Sequence, residues 1–421
     1  MVDETDPMKE IRERLAAYDG VINAVYGDNV VPHPALAANP RPSALVIKPA
    51  ALLAGEQIVP RQWLYGTVLL RRMVTVIIAP GGVGKTSWSI AAGLSLALGR
   101  GLIGDYVHHQ AHVLFASLED PEEEFDRRVA AAMLRYAIHP DELRGRVSLI
   151  DGRARHLVMA ELNRAGEMVF PDKAALTDLI RGMKIDVLII DPVVNSHGLD
   201  ENDNTQINAL ARAWSEIAND TGCSVVLIHH TRKGAVAGDP DSGRGASALV
   251  HASRSTFTLT AATLADVEKL GIKDNERRQY IRLDDAKVNL SPTAEDARWF
   301  RLTSMPLGNG DAFYPRGDNL QVIEAWTPPK SAISQQTPAA INQALDVIAA
   351  GKDGLPYAKN HQNGRWAGNV LVDMLGLTPA DAIRAIATWL KEGLLFENQF
   401  RDPETRKARA GLGVSSRRPT E

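Results

Sequence analysis

The sequence predicts an α/β fold with a mostly parallel central sheet, and three observations carry that expectation. Between Thr75 and Thr260, near-continuously apolar runs (Val74 to Ile78, His112 to Ser117, Asp186 to Asp191, Ser224 to His229, Ser255 to Leu259) alternate with helical stretches. Such runs suit strands covered on both faces. A glycine-rich loop, Ala79-Pro80-Gly81-Gly82-Val83-Gly84-Lys85-Thr86, joins the first run to the helix-like stretch Ser87 to Leu98. The segment Thr205 to Asp220 sets Ile207, Leu210, Ala211, Trp214, Ile217 and Ala218 along one face, the periodicity of a crossover helix on a sheet.

The loop has the chemistry of a phosphate cradle. Glycines let backbone N–H groups turn inward onto phosphate oxygens, Lys85 adds a point charge, Thr86 offers a hydroxyl to Mg²⁺, and the next helix presents its positive end. Pro80 to Ser87 are therefore the expected nucleotide-binding residues, with ATP and Mg²⁺ as cofactors. Ala79 stands where this loop pattern usually has glycine, the smallest possible intrusion.

Further polar residues follow apolar runs. Asp191, closing Val187-Leu188-Ile189-Ile190, is the expected second metal-associated group beside Thr86. Glu119 lies just beyond a run expected to neighbour the phosphate loop and is the candidate to orient an attacking water. Alternatively, Glu119 and Asp120 cap the following helix. Of His229 and His230, which point to opposite faces of one strand, only one can sense the terminal phosphate. Paired histidines without a third ligand do not suggest zinc. The glycine-rich stretch Thr231 to Ser247 carries Arg232, Lys233 and Arg244 and reads as a DNA-contacting loop, or as an ordinary solvated loop.

At 421 residues, the chain exceeds the size at which a single core stops growing. Composition is that of an ordinary globular protein, with 45% hydrophobic and 23% charged residues and a formal net charge of −4. Any nucleic-acid contact must then come from a local basic surface. The single cysteine, Cys223, precludes an internal disulfide and reads as a small buried hydrophobe. No signal-like or membrane-spanning segment is evident, so a cytoplasmic location is expected.

Residues 1–45 read as an N-terminal arm with a short amphipathic helix after Pro7, and 46–330 as the main domain. Tyr280 to Leu283 and Trp299 to Thr303 are expected to form a hairpin extending the sheet. After a polar linker, 331–421 read as three short helices and a β-wing, a winged-helix-like unit. Its Arg401, Arg406, Lys407 and Arg409 would touch phosphates, or the unit would only dock protein.

Taken together, Trp63-Leu64-Tyr65-Gly66, Ala79 to Thr86, Ser117 to Asp120, Ile190-Asp191-Pro192, His229-His230 and Arg244 to Val250 with Arg254 resemble, in order, the RecA-like ATPase core of plasmid replication helicases of the RepA type. DnaB-type helicases are more distant relatives by the same motifs. The resemblance covers about residues 50 to 325. It implies that Lys85 and Thr86 bind nucleotide and Mg²⁺, that Glu119 is catalytic, that Asp191 is the metal-associated acid and that His229 is the sensor. It further implies that Arg254 is a finger reaching a neighbouring subunit, that Lys287 is a second basic finger, and that Asn289 departs from the family's arginine. The working form it implies is a ring, hexameric, on single-stranded DNA, with a replication initiator or primase as candidate partner. Rival readings are a nucleotide-switched DNA-binding protein that unwinds nothing, and a regulatory ATPase that ignores nucleic acid. The loop Val193 to Gln206, with Asp200, Glu201 and Asp203, is too acidic to grip phosphates.

Overall fold

The computed structural model describes residues 55, 58–231, 239, 247–291, 297–329, 333, 335–403 and 406–419. The chain divides into Met1–Pro60 and Arg61–Glu421. The expected arm and its helix, and the basic residues Arg232, Lys233 and Arg244, lie outside the described residues.

Within the second unit, a short ribbon, β1 (Trp63–Tyr65) and β2 (Leu69–Leu70), precedes β3 (Val74–Pro80) and helix α1 (Lys85–Leu98). Then come β4 (Val113–Ser117), α2 (Glu122–Tyr136), α3 (Pro140–Leu143) and β5 (Val147–Asp151). A small ribbon of β6 (Glu161–Leu162) and β7 (Met168–Val169) leads to α4 (Lys173–Gly182), β8 (Val187–Asp191) and α5 (Asn204–Thr221). The remainder of the core is β9 (Ser224–Thr231), α6 (Ser247–Ala252), β10 (Ser255–Ala261), α7 (Leu264–Leu270), β11 (Tyr280–Val288), β12 (Arg298–Pro306) and β13 (Asn319–Ala325).

Nine of these strands form one sheet in the order β13-β12-β11-β10-β3-β9-β8-β4-β5. From β10 to β5 every neighbouring pair is parallel; β11, β12 and β13 add an antiparallel edge. This is the mostly parallel α/β sheet that the alternating runs predict, and the hairpin expected after Gln279 is present with β13 as a further strand.

One expectation changes. The strand leading to Glu119 does not neighbour the phosphate-loop strand: β4 pairs with β8 and β5, and both β9 and β8 stand between it and β3. The periodicity of a strand fixes which face a residue meets, not which strand it pairs with.

Alternation along the buried strands builds two cores. Ile77, Ala79, Phe115, Ile189, Val226 and Ile228 face α1 and α2. Val76, Ile78, Leu114, Ile190 and Leu227 face α5, whose Trp214 and Ile217 are buried there as the sequence periodicity predicts. Cys223 is buried in this second core, and burial pushes its thiol up to about 12, so it packs as a hydrophobe.

The antiparallel edge curls back over the first core. Phe300, Leu302, Val322 and Ile323 join it, while the Tyr136 hydroxyl of α2 donates to the carbonyl oxygen of Ile323 and Arg127 of α2 pairs with Asp318 at 3.2 Å. Helix α1 is thereby held between the parallel sheet and its own extension.

Further along, α8 (Pro338–Ala350), α9 (Ala367–Leu375), α10 (Pro379–Lys391) and the hairpin β14 (Leu395–Arg401) and β15 (Ala408–Val414) share a separate core around Leu345, Trp366, Leu371, Ile386 and Trp389. Thr337 caps α8 through the Ala340 amide and Thr378 caps α10 through the Asp381 amide, so the capping pattern read at Thr378 is present.

The packing of α1 on β4 leaves no room at Gly93, where a Cβ would lie 2.2 Å from Cζ of Phe115. Phe115 is buried against Phe125, with ring centroids 5.2 Å apart, and has nowhere to swing. Gly93→Val is expected to lower stability by about 1–3 kcal/mol through overpacking, measured by chemical denaturation.

Candidate nucleotide site

The phosphate loop is built by backbone geometry. Gly82 and Gly84 adopt φ of 77° and 83°, a left-handed conformation that side chains rarely tolerate. A Cβ on Gly81 or Gly82 would meet no protein atom, so this stretch faces open space. Gly84 is the N-cap of α1 and lies against Leu302, where an added Cβ would come within 2.8 Å. Ala79 is not part of the turn. It is buried at the end of β3, paired with His230, and has no need of glycine's freedom.

Lys85 is only 7% exposed, and its Nζ donates to the carbonyl oxygen of Pro80 at 3.3 Å. Burial lowers its pKa, and the carboxylates of Asp191 and Glu119 oppose that shift. Thr86 Oγ1 donates to Asp191 Oδ2 at 2.9 Å, joining the start of α1 to the end of β8. A hydroxyl and a carboxylate so placed are the hard oxygen ligands that Mg²⁺ prefers. Open loop amides, a buried ammonium and this oxygen pair fit a magnesium-bound triphosphate. The Ser87 hydroxyl donates to the carbonyl oxygen of Gln321 in β13 at 3.0 Å, so any contact of Ser87 with phosphate falls to its backbone amide in the first turn of α1. Its side chain anchors the curled edge.

Glu119 is held at the mouth of this cluster by the backbone before it. The Leu118 amide donates to the carbonyl oxygen of Asp191 at 3.0 Å, and Asn195 Nδ2 donates to that of Leu118 at 3.1 Å. The N-cap of α2 is Pro121, with no side-chain cap, while Asp120 pairs with Arg128. Glu119 is thus not a helix cap. Its side chain is 63% exposed, and Oε2 lies 3.7 Å from His230 Nε2.

The two histidines part as strand alternation requires. His230 Nδ1 is 3.4 Å from Lys85 Nζ, so His230 bridges Lys85 and Glu119. His229, which the resemblance makes the sensor, turns to the other face. There it is 2% exposed, with both ring nitrogens lacking a hydrogen-bond partner. Burial, then the neighbouring His230, lowers its pKa to about 4. The structure therefore puts His230, and not His229, beside the phosphate loop. Parity decided this. Val226 and Ile228 face α1, and His230 continues their row.

Arg254 and Lys287 are apart from the cluster. Arg254 is exposed just before β10, whose first residue pairs with Thr75 near the start of β3. Lys287 Nζ donates to the carbonyl oxygens of Val250 and Ser253 at 2.9 and 3.0 Å, capping the end of α6 next to Arg254. In the acidic loop after β8, Asp203 accepts from the Thr205 and Gln206 amides and caps α5, the task its charge serves there. In the wing, Arg401, Arg406 and Lys407 are exposed, while Arg409 pairs with Asp402 at 3.0 Å.

Residues 40–236 match a family model described as an AAA domain, a span that includes the phosphate loop, Glu119, Asp191 and His230. Two solved structures overlap the chain at 12% identity. One is a KaiC-like protein from the hyperthermophilic archaeon Pyrococcus horikoshii OT3, with a TM-score of 0.39 over 64% of this chain and 98% of that one. The other is the ATPase domain of G40P, with a TM-score of 0.40 over 61% and 86%. The sheet order and the site, rather than these overlaps, define the fold: a mostly parallel α/β sheet whose β3 leads through a phosphate-type loop into α1. Among the described residues, no helix is long and apolar enough to cross a membrane.

Burial raises the Asp191 carboxyl from the usual 3.8 to about 6, against the Thr86 hydrogen bond and Lys85. A raised folded-state value makes ionisation costly in the native protein, so stability falls as pH rises from about 4 to about 6. Asp191→Asn removes that cost and retains an acceptor for Thr86. The nucleotide-free variant is expected to be more stable than wild type by about 1–3 kcal/mol at pH 8, the difference vanishing near pH 4, as measured by denaturation across pH.

Proposed function

We propose that this chain is an ATP-hydrolysing motor that assembles into a ring, hexameric in number, and unwinds DNA during replication of a plasmid, phage or integrated element. Mg-ATP sits in the phosphate loop. Magnesium held at Thr86 and Asp191 would neutralise charge on the outer phosphates. Lys85 binds those phosphates, Glu119 orients the attacking water, and His230 lies between the two.

The position of Arg254 carries the assembly. Thr75, level with the start of β10, precedes Gly81 by six residues. At ~3.3 Å per strand residue, that is about 20 Å, farther than an arginine side chain can bridge. An exposed guanidinium at that end serves a phosphoryl group in a second copy. Lys287, fastened to the backbone around Arg254, positions the finger and is not itself one.

Coupling to DNA is supported by connectivity. His230 is followed at once by Thr231, the last residue of β9, and then by Arg232 and Lys233. A shift of His230 on loss of the terminal phosphate would pass through one residue to the basic pair Arg232 and Lys233. With Arg244, these cations supply the local positive charge that single-strand binding needs. A replication initiator or primase would act as loading or priming partner.

Arg254→Ala and Lys85→Ala are each expected to lose at least tenfold in DNA-stimulated ATPase, and mixtures of the two to regain part of it. Each variant supplies what the other's shared site lacks. Absence of rescue at every mixing ratio argues against a finger acting between subunits. Glu119→Gln is expected to bind ATP and hydrolyse it at least a hundredfold more slowly. Strand separation on a 5′-tailed duplex distinguishes a motor from a nucleotide switch, which would bind DNA without separating it.

A further inference from the structure

The loop between β12 and β13 presents Phe313 and Tyr314 to solvent at 88% and 76% exposure, the barest aromatics among the described residues. They are not on a slack tip. Asp311 Oδ1 accepts from the Phe313 and Tyr314 amides at 2.8 and 2.6 Å, and Gly317 N donates to the Tyr314 carbonyl oxygen at 2.9 Å. Across the base of the loop, Asn309 and Asp318 exchange hydrogen bonds at 2.7 and 2.8 Å. A loop fixed in this way holds two apolar rings in water without losing order, which marks a preformed contact site.

The loop rises on the nucleotide face. β12 runs antiparallel to β11 and so ends on the side where β3 delivers the phosphate loop. Leu302 lies against Gly84, Ser87 bonds Gln321, and Arg127 of α2 pairs with Asp318. The aromatic tip is therefore rigidly tied to the site that Arg254 of another copy would complete.

We propose that Phe313 and Tyr314 form the tooth by which one protomer seats on the next, a head-to-tail contact between copies of this chain. This rests on the ring reading above. Arg316 is the single cation between Leu307 and Asp318, set against Asp311 and Asp318, so the loop lacks the positive field that a polyanion requires. Aromatic residues flanked by one arginine are the composition of a protein–protein anchor. A head-to-tail contact on the nucleotide face closes into a ring when its rotation permits.

The test compares wild type with the double variant Phe313→Ser, Tyr314→Ser and the conservative pair Phe313→Leu, Tyr314→Phe. Sedimentation is measured with a non-hydrolysable Mg-ATP analogue, alongside binding of a fluorescent ATP analogue and of a labelled oligothymidylate. The serine pair is expected to bind the fluorescent nucleotide within about twofold of wild type, to sediment as a monomer where wild type assembles, and to lose turnover at least tenfold. Assembly is expected to return with the conservative pair. If the serine pair assembles like wild type, the tooth is overturned while the ring stands, whether its defect is in nucleotide binding, in oligothymidylate binding or in neither. If wild type itself stays monomeric, the ring reading falls and the tooth with it.

Discussion

The buried ammonium of Lys85 is the constraint around which the nucleotide face is organised. A cation out of water must be compensated, and the sheet does this by ending three strands at one place. β3 supplies the Pro80 carbonyl oxygen, β8 the Asp191 carboxylate, and the segment after β4 the Glu119 carboxylate. None of these strands alone could do so. The order β3-β9-β8-β4 gathers them, with His230 on the intervening strand within 3.4 Å of the ammonium. The same desolvation that lowers the lysine raises Asp191, so the site stores electrostatic cost in the folded protein. Mg²⁺ and phosphate would relieve it, which is how a stability deficit becomes binding affinity.

A second constraint is mechanical. The antiparallel edge does not run out into solvent but returns over α1 and α2, closing the first core from the far side. Helix α1 can then transmit a change at the phosphate loop through surfaces it already touches, among them β8 at Thr86, β4 at Gly93, β12 at Gly84 and β13 at Ser87. Phosphate chemistry and the outer edge of the molecule are linked by direct packing.

Much of this was legible in the residues themselves. Parallel strands covered on both faces must be apolar along their length, so the runs ending at Ile78, Ser117, Asp191 and His229 stand out, and the candidate site residues close or follow them. Less could be read where burial is partial. β5 is half-buried throughout and β13 mixes exposed and buried positions, so neither carries a continuous apolar signal. Pairing was equally hidden, and β4 was expected one place and found another. The choice between His229 and His230 was a matter of parity. It could have been settled by counting back to Val226 and Ile228 once α1 was assigned to their face, but that assignment comes from the fold and not from the histidine pair.

Arg254 stands at one end of β10 and Lys85 beyond the opposite end of β3, so on the proposed reading the site would be completed by a second copy. Hydrolysis would then be a property of the assembly, with a rate per protomer that depends on how often protomers meet. The direct measurement is ATPase turnover per protomer at saturating Mg-ATP and single-stranded DNA across a wide range of protein concentration. The account predicts a steep rise that saturates where sedimentation shows assembly is complete. A turnover that is constant down to concentrations at which the protein is monomeric would contradict it.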